Sequence, residues 1–316
     1  MNSGNKGIQN IGNTCYLNSV VQCLTHILFF HPVNKKLTHD FDESKDTHGL
    51  VKSWFDVNRD MWTNDTKTPL QIRGFVNSFI HTIREHKIYF ENFQQNDAEE
   101  FITLLLDRIH EVLKKTLDTK GSSEADQSWY TSFHKDYSLI KEYFYSQSQV
   151  QTLCTHCNHK TTRYEPFMIY QLSIGDNIQS IEEAFYEDCR SESMDDYTCD
   201  KCKEKSICVH KRTYTRMSDL MIVQLKLYNT RGKINRHINY SDTLDLSKLI
   251  KKKTVYQLVG IVIHMGSLNS GHYVSICKNL VDHQWRLYND SQVQNISVEQ
   301  ATNQKPYLLF YKRDKS

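Results

Sequence analysis

Cys15 stands in the segment Gly7-Ile-Gln-Asn10-Ile-Gly12-Asn13-Thr14-Cys15, just ahead of apolar residues at helical spacing. A cysteine in a helix's first turn faces unpaired backbone N–H groups and the positive end of the helix dipole. Both favour the nucleophilic thiolate. The bland alternative is packing as a small hydrophobe, as expected for Cys23. Upstream, the Asn10 amide could donate to the oxyanion of a tetrahedral intermediate; it could equally be a turn residue. Far along the chain, His272 follows Gly271 at the start of an extended run, and Asn289 ends the next one, ahead of Asp290-Ser291. Neighbouring strand ends can bring Asn289 to the imidazole and set its orientation. A lone strand histidine is usually structural. A Cys, a His and an Asn, each at an element terminus, form a candidate cysteine-hydrolase set.

A second chemistry lies between them. Cys154-x-x-Cys157 and Cys199-x-x-Cys202 read as two knuckles of a four-cysteine zinc site. The gap between them is longer than in the usual zinc ribbon. Four thiolates close the coordination shell, so such a zinc is structural. His156 and His159 are the substitutes should one cysteine not ligate. Cys189, Cys208 and Cys277 are expected to pack as inert thiols.

The elements that must position these residues fall into two groups. Leu17, Val20, Val21, Leu24 and Leu28 share a helix face, with Asn13 or Thr14 where a cap belongs. A second helix is expected over about 97–113, with Asp97 and Glu100 spaced as a capping box. Residues 120–126 read as a surface loop. After about Tyr143 the periodicity changes: segments beginning at Val150, Lys211, Leu220, Val255, His272, Trp285 and Tyr307 read as strands. The fold class is α+β, helical first and β-rich after.

Composition excludes several functions. Among 316 residues, 39 Lys+Arg against 37 Asp+Glu leave +2, which gives no global argument for nucleic acid or an anionic membrane. The mean hydropathy is −0.61, yet 11% aromatic residues are too many for disorder. No stretch approaches the ~20 apolar residues that span a bilayer, and no signal core opens the chain. Nine cysteines without a signal point to a reducing, intracellular compartment, cytoplasmic or nuclear. Lys251-Lys252-Lys253 reads as a solvated charge run.

The motifs together resemble a known family. Gly7 to Leu24 is similar to the Cys box of the ubiquitin-specific proteases, G-[LI]-x-N-x-G-N-T-C-Y-x-N-[SA]-x-x-Q-x-L. Gly271-His272-Tyr273-Val274 with Trp285 to Val293 resembles their His box. Gln95-Asn-Asp97-Ala-Glu-Glu100-Phe101 resembles their Q-x-D-A-x-E-F segment, and the paired C-x-x-C their zinc-bearing fingers.

The resemblance implies a papain-like cysteine protease fold over the whole of 1–316. The thumb would take about 1–125, the fingers about 145–215, and the palm about 126–144 with 216–316. It implies Cys15 as nucleophile, His272 as base and acid, Asn289 as its orienter, and Asn10 as oxyanion donor supported by Asp290. Gln95 and Asp97 would line the substrate's tail channel, Asp97 keeping one carboxylate oxygen free beside its cap. Tyr273 would wall that channel so that only Gly-Gly passes. The implied partners are ubiquitin and ubiquitinated proteins, with no nucleic acid or membrane; the expected state is a monomer without an accessory targeting domain.

Departures occur at Leu225-Lys-Leu-Tyr228, where the family has L-K-R-F, and at Tyr240-Ser-Asp-Thr, where it has F-P. They bear on how the loop around 229–239 meets substrate. The rival functions are a protease for another ubiquitin-like modifier such as SUMO, a catalytically inactive ubiquitin-binding module, and a zinc-ribbon nucleic-acid binder. The present Cys15, His272 and Asn289 disfavour the second, and the charge balance the third.

Overall fold

The computed structural model describes residues 4–63, 68–88, 90, 94–229, 232–234, 236–267 and 271–315. Helices α1 (Cys15–Leu28), α2 (Pro32–Asp40), α3 (Leu50–Thr63), α4 (Arg73–Glu85), α5 (Ala98–Leu113), α6 (Glu124–Phe133) and α7 (Leu139–Phe144) form the N-terminal lobe. Then come β1 (Ser146–Cys154), β2 (Lys160–Phe167), β3 (Ile169–Ser173), α8 (Ile181–Asp188), β4 (Glu192–Thr198), β5 (Lys205–Arg216) and β6 (Leu220–Lys226). After two short pairs of residues, β7 (Tyr228–Asn229) and β8 (Gly232–Lys233), the chain runs through β9 (Thr243–Asp245), α9 (Ser247–Ile250), β10 (Val255–Gly266) and β11 (Gly271–Lys278). It closes with β12 (Trp285–Asn289), β13 (Gln292–Ile296), α10 (Val298–Thr302) and β14 (Leu308–Arg313).

The α+β expectation holds. An eight-stranded sheet runs β13-β12-β11-β10-β14-β6-β3 with β9 beside β10, antiparallel except for the β3–β6 pair. A separate four-stranded sheet runs β2-β1-β5-β4. Helix α1 is buried along its length and packs on β10, β11 and β12. Its helix-spaced aliphatics turn into the sheet, where Val20, Val21 and Leu24 lose all contact with water. Each buried aliphatic contributes about 1.5–3 kcal/mol relative to exposure. The thiol's helix is thereby held against the histidine's strand.

Two local expectations change. The segment 120–126 is a loop only as far as Ser123, whose Oγ accepts from Asp126 N and caps α6. Strands β2, β3 and β4 also go beyond the sequence reading. Strand β4 (Glu192–Thr198) is almost wholly exposed, so it carries no alternating apolar signal. The Lys251–Lys253 run is exposed, as expected. Tyr240 is buried, its hydroxyl donating to the carbonyls of Ala301 (3.0 Å) and Gln304 (3.3 Å). That departure from the family pattern therefore braces the region around α10. Residues 230, 231 and 235 of the departing loop lie outside the described residues, as do 268–270 before the histidine strand.

Candidate active site and cysteine cluster

Cys15 is the first residue of α1, and Thr14 makes no side-chain cap. Instead Asn10 Oδ1 accepts from Gly12 N (3.0 Å), Thr14 N (3.2 Å) and Thr14 Oγ1 (3.2 Å). The turn that brings Asn10 back over the helix requires Gly12 at φ 118° and Asn13 at φ 50°, the left-handed region that Gly and Asn tolerate best. The first-turn N–H groups of Cys15 and Tyr16 are thus left to the Cys15 sulfur, and the Tyr273 N–H reaches it from β11.

The expectation that the helix terminus makes Cys15 a thiolate meets a stronger effect. Burial pushes the thiol's pKa up, the Asp290 charge adds to that, and the three backbone N–H groups oppose without prevailing. At neutral pH the free protein therefore holds less Cys15 thiolate than an exposed cysteine would. Alkylation of Cys15 by iodoacetamide, read by peptide mass spectrometry, should climb with pH through a midpoint above the ordinary thiol value. Asp290→Asn removes an anion and should move that midpoint to lower pH. An unchanged midpoint would show that the Asp290 charge does not act on the thiol.

His272 Nε2 lies 2.7 Å from Asn289 Oδ1. A carbonyl oxygen only accepts, so Nε2 carries the proton and Nδ1 keeps the lone pair in the neutral ring. Register explains the meeting. Ser275 opposite Tyr288 sets Asn289 level with Val274, on the face that His272 shares. A Cβ on Gly271 would come 2.2 Å from His264 Nε2 and 2.6 Å from Met265 O, so packing within the β10–β11 hairpin already demands this glycine.

Asp290 takes φ 49° in the turn after β12, and its carboxylate bonds two asparagine amides. Its Oδ2 accepts from Asn10 Nδ2 (2.9 Å) and its Oδ1 from Asn18 Nδ2 (2.7 Å). Ile8 N donates to Asp290 O (2.8 Å), and a Cβ on Gly7 would meet the Asp290–Ser291 backbone at 2.5 Å. The segment before the nucleophile is therefore clamped against the turn after Asn289. The Asn10 amide keeps one N–H beyond the Asp290 bond. Asn18 has no role in the sequence reading, though it lies one turn after Cys15 and shares its face.

Gln95 and Asp97 act as braces. Gly271 N donates to Gln95 Oε1 (3.0 Å). Asp97 Oδ1 caps α5 through Glu99 N (2.7 Å) and Glu100 N (3.3 Å). Contrary to the expected free oxygen, Oδ2 accepts from Tyr273 OH (3.3 Å) and Tyr307 OH (2.8 Å), and Tyr307 also reaches Oδ1. Burial, with the Asp97 charge beside them, holds both phenols far above their ordinary range. Asn96 Nδ2 donates to Tyr16 OH (3.2 Å), so residues 95–97 tie the thiol's neighbour to the histidine's strand.

The two cysteine knuckles meet at one end of the four-stranded sheet. One ligand atom from each of Cys154, Cys157, Cys199 and Cys202 lies within 4.8 Å of the others. The knuckles match: Asn158 N donates to Cys154 O (3.0 Å) and Lys203 N to Cys199 O (2.9 Å). Asn158 and Lys203, each after a knuckle's second cysteine, take φ 55° and 61°. Cys157 Sγ and Cys199 Sγ are 3.6 Å apart, close to the ~3.8 Å of a tetrahedron with metal–sulfur bonds of about 2.3 Å. A disulfide would need about 2.05 Å, and all nine cysteines are free. Ser206 Oγ, 3.3 Å from Cys154 Sγ, can donate to a thiolate there. The donor set fits a thiophilic cation with no position left for water. His156 and His159 are not in the cluster.

A thiol at the start of α1 that the Tyr273 N–H reaches from β11, one residue after His272, stands beside a histidine–asparagine pair, with a four-cysteine cluster on a separate β-sheet. Residues 6–311 match the family described as ubiquitin carboxyl-terminal hydrolase, and the chain belongs to that family. It is 28% identical to ubiquitin carboxyl-terminal hydrolase 2 of Homo sapiens, covering 98% of this chain and 55% of that protein. Usp2 of Drosophila melanogaster is 29% identical over 97% of this chain and 34% of its own. The chain thus spans about half the length, or less, of these relatives. Among solved structures, the SAGA Ubp8/Sgf11/Sus1/Sgf73 DUB module bound to ubiquitin aldehyde superposes with TM-score 0.78 at 23% identity. That match covers 99% of this chain and 70% of the other and shows the same α+β fold.

Proposed function

We propose that this protein is a thiol-dependent deubiquitinase that hydrolyses the peptide or isopeptide bond after the C-terminal glycine of ubiquitin. One observation supports the reading: the residue after His272 brings its backbone N–H to the Cys15 sulfur, while His272 pairs with Asn289 and Asp290 holds the Asn10 amide. His272 Nδ1 takes the Cys15 proton, and the sulfur attacks the glycine carbonyl. The resulting oxyanion accepts from Asn10 and the first-turn N–H groups. The imidazolium then protonates the leaving amine, and a thioester forms. Water, deprotonated by the same nitrogen, releases the ubiquitin carboxylate and restores the thiol.

Gln95, Asp97 and Tyr273 shape the tail channel in this reading, by fixing the strand that forms one wall. A polar cleft of about 550 Å³, lined by Glu99, Glu165, Asp188 and Arg212, lies between α5 and the four-stranded sheet and suits a globular protein partner. Residues of about 1–125 are the thumb. Residues of about 145–215 are the fingers, and about 126–144 with 216–316 the palm. Every reacting group comes from one chain, so a monomer suffices. Nine free thiols suit a cytoplasmic or nuclear setting, and no helix of the described residues is long and apolar enough to cross a membrane.

Labelling with ubiquitin vinyl sulfone tests the function, beside turnover of fluorogenic ubiquitin and SUMO conjugates. Adduct formation at Cys15 and a preference for ubiquitin are expected. Turnover of SUMO alone would reassign the substrate, and no adduct would indicate a binding module.

The cluster Cys154, Cys157, Cys199 and Cys202 would hold a structural Zn²⁺, which when bound cross-links the two hairpins of the fingers. Cys199→Ser should lower Tm by about 5 °C or more, since ~1 kcal/mol moves a large domain by roughly 2 °C. It should weaken ubiquitin binding while alkylation of Cys15 persists. Absence of zinc by elemental analysis in protein purified without chelator would defeat this assignment.

A further inference from the structure

A different group of acceptors converges at the C-terminal end of α5. His110 is 1% exposed, and its Nε2 has no hydrogen-bond partner. That nitrogen lies 3.5 Å from Asp136 Oδ2 and 4.0 Å from Glu111 Oε1. His110 and Glu111 belong to α5, and Asp136 to the connection between α6 and α7. One atom from each can be chosen within 4.8 Å of the others.

The surroundings aim these atoms at a common point. His110 Nδ1 is 2.8 Å from Ser138 Oγ, which also accepts from Ile140 N (3.2 Å) and Lys141 N (3.4 Å) at the start of α7. Of the two neutral tautomers, the one that donates from Nδ1 to Ser138 Oγ leaves the Nε2 lone pair turned toward the carboxylates. Lys114 Nζ engages the opposite oxygens, Glu111 Oε2 at 2.8 Å and Asp136 Oδ1 at 3.4 Å. Each carboxylate thus gives one oxygen to the ammonium and turns the other to the imidazole. Lys114 neutralises the far oxygens, whereas the near oxygens, Glu111 Oε1 and Asp136 Oδ2, face Nε2 with no hydrogen bond between them. A proton on Nε2 would draw a carboxylate to about 2.7–2.9 Å, closer than either stands. Tetrahedral donors around a cation with bonds of about 2.0–2.2 Å lie roughly 3.3–3.6 Å apart.

We propose that His110, Glu111 and Asp136 form a second metal site, separate from the cysteine cluster, that takes a borderline divalent cation such as Zn²⁺ and completes its shell with water. The mixed nitrogen and oxygen donors suit zinc, whereas Ca²⁺ requires six or more oxygens. The Glu111 and Asp136 side chains are 35% and 48% exposed, which gives the ion an entry. Once bound, it ties the end of α5 to the connection that leads into α7.

The test is equilibrium dialysis of the full chain against excess Zn²⁺, with protein-bound zinc counted by elemental analysis. Asp136→Asn is the main variant, because its half-exposed side chain lies on a connection; His110→Gln is the second. Wild type should hold one more equivalent than either variant, and excess zinc should raise its Tm but not that of Asp136→Asn. With Co²⁺, the equivalent that Asp136→Asn loses should show ligand-field bands without thiolate-to-cobalt charge transfer. Equal uptake by wild type and Asp136→Asn would overturn the site. So would a lost equivalent carrying the thiolate band, because it would belong to the cysteines.

Discussion

Cys15→Ala should lower kcat on ubiquitin conjugates by about 10⁴-fold or more, since loss of a nucleophile leaves only binding and oxyanion stabilisation. Ubiquitin affinity should stay within a few-fold of wild type. Cys15 is 5% exposed at the base of the site, so its sulfur offers little area to a globular partner. Cys15→Ser should be nearly as inactive, because a hydroxyl is far less acidic than even this buried thiol. The measurement is steady-state turnover of a fluorogenic ubiquitin conjugate, with affinity read separately by calorimetry. Turnover by Cys15→Ala at more than about one hundredth of wild type would assign the chemistry to another residue.

The parts of this site that could be read from sequence are those set by residue type at an element's end. Cys15 at a helix start, His272 at a strand start and the Asp97 cap each announce themselves within a few residues. The links between them do not. Asn18 and Asp290 are 272 positions apart, and nothing local in either segment indicates that they bond. The same holds for Tyr307 and Asp97, 210 positions apart, whose bond removes the oxygen that Asp97 was expected to keep free. The state of Cys15 depends on more than its position, for a related reason. Helix-terminus electrostatics follow from position, whereas desolvation depends on the sheet and loops that close over the sulfur. In the fold, β6, β10 and β14 were legible because they are apolar runs in a buried sheet. Strand β3 escaped because its place depends on a parallel pairing with β6 across some fifty residues of intervening chain. The matching of the two cysteine knuckles was legible in spacing alone, because a C-x-x-C turn is a local geometry.

Asn289 and Asp290 are adjacent in sequence but should fail differently when replaced. Asn289 Oδ1 is the acceptor that keeps the His272 proton on Nε2. Asn289→Ala should therefore lower kcat by about 10²-fold or more with little change in KM, as expected for loss of base alignment in the transition state. Asn289→Asp should recover part of that loss, because a carboxylate oxygen also accepts from Nε2–H. Asp290's carboxylate oxygens hold Asn10 and Asn18 instead. Asp290→Ala should act through the oxyanion donor, with a cost no greater than that of Asn10→Ala, on the order of 10²–10³ in kcat. It should also lower stability by about 1–3 kcal/mol, because the Asn18 amide loses its partner inside the protein. The double variant Asn10→Ala/Asp290→Ala separates the routes. If Asp290 works only by holding Asn10, the double variant turns over no more slowly than Asn10→Ala, after both are measured below their Tm. A further tenfold loss on the Asn10→Ala background would mean that the Asp290 carboxylate acts on the reacting groups directly, and a loss larger than that of Asn289→Ala would give Asp290 the larger share of the third position's work.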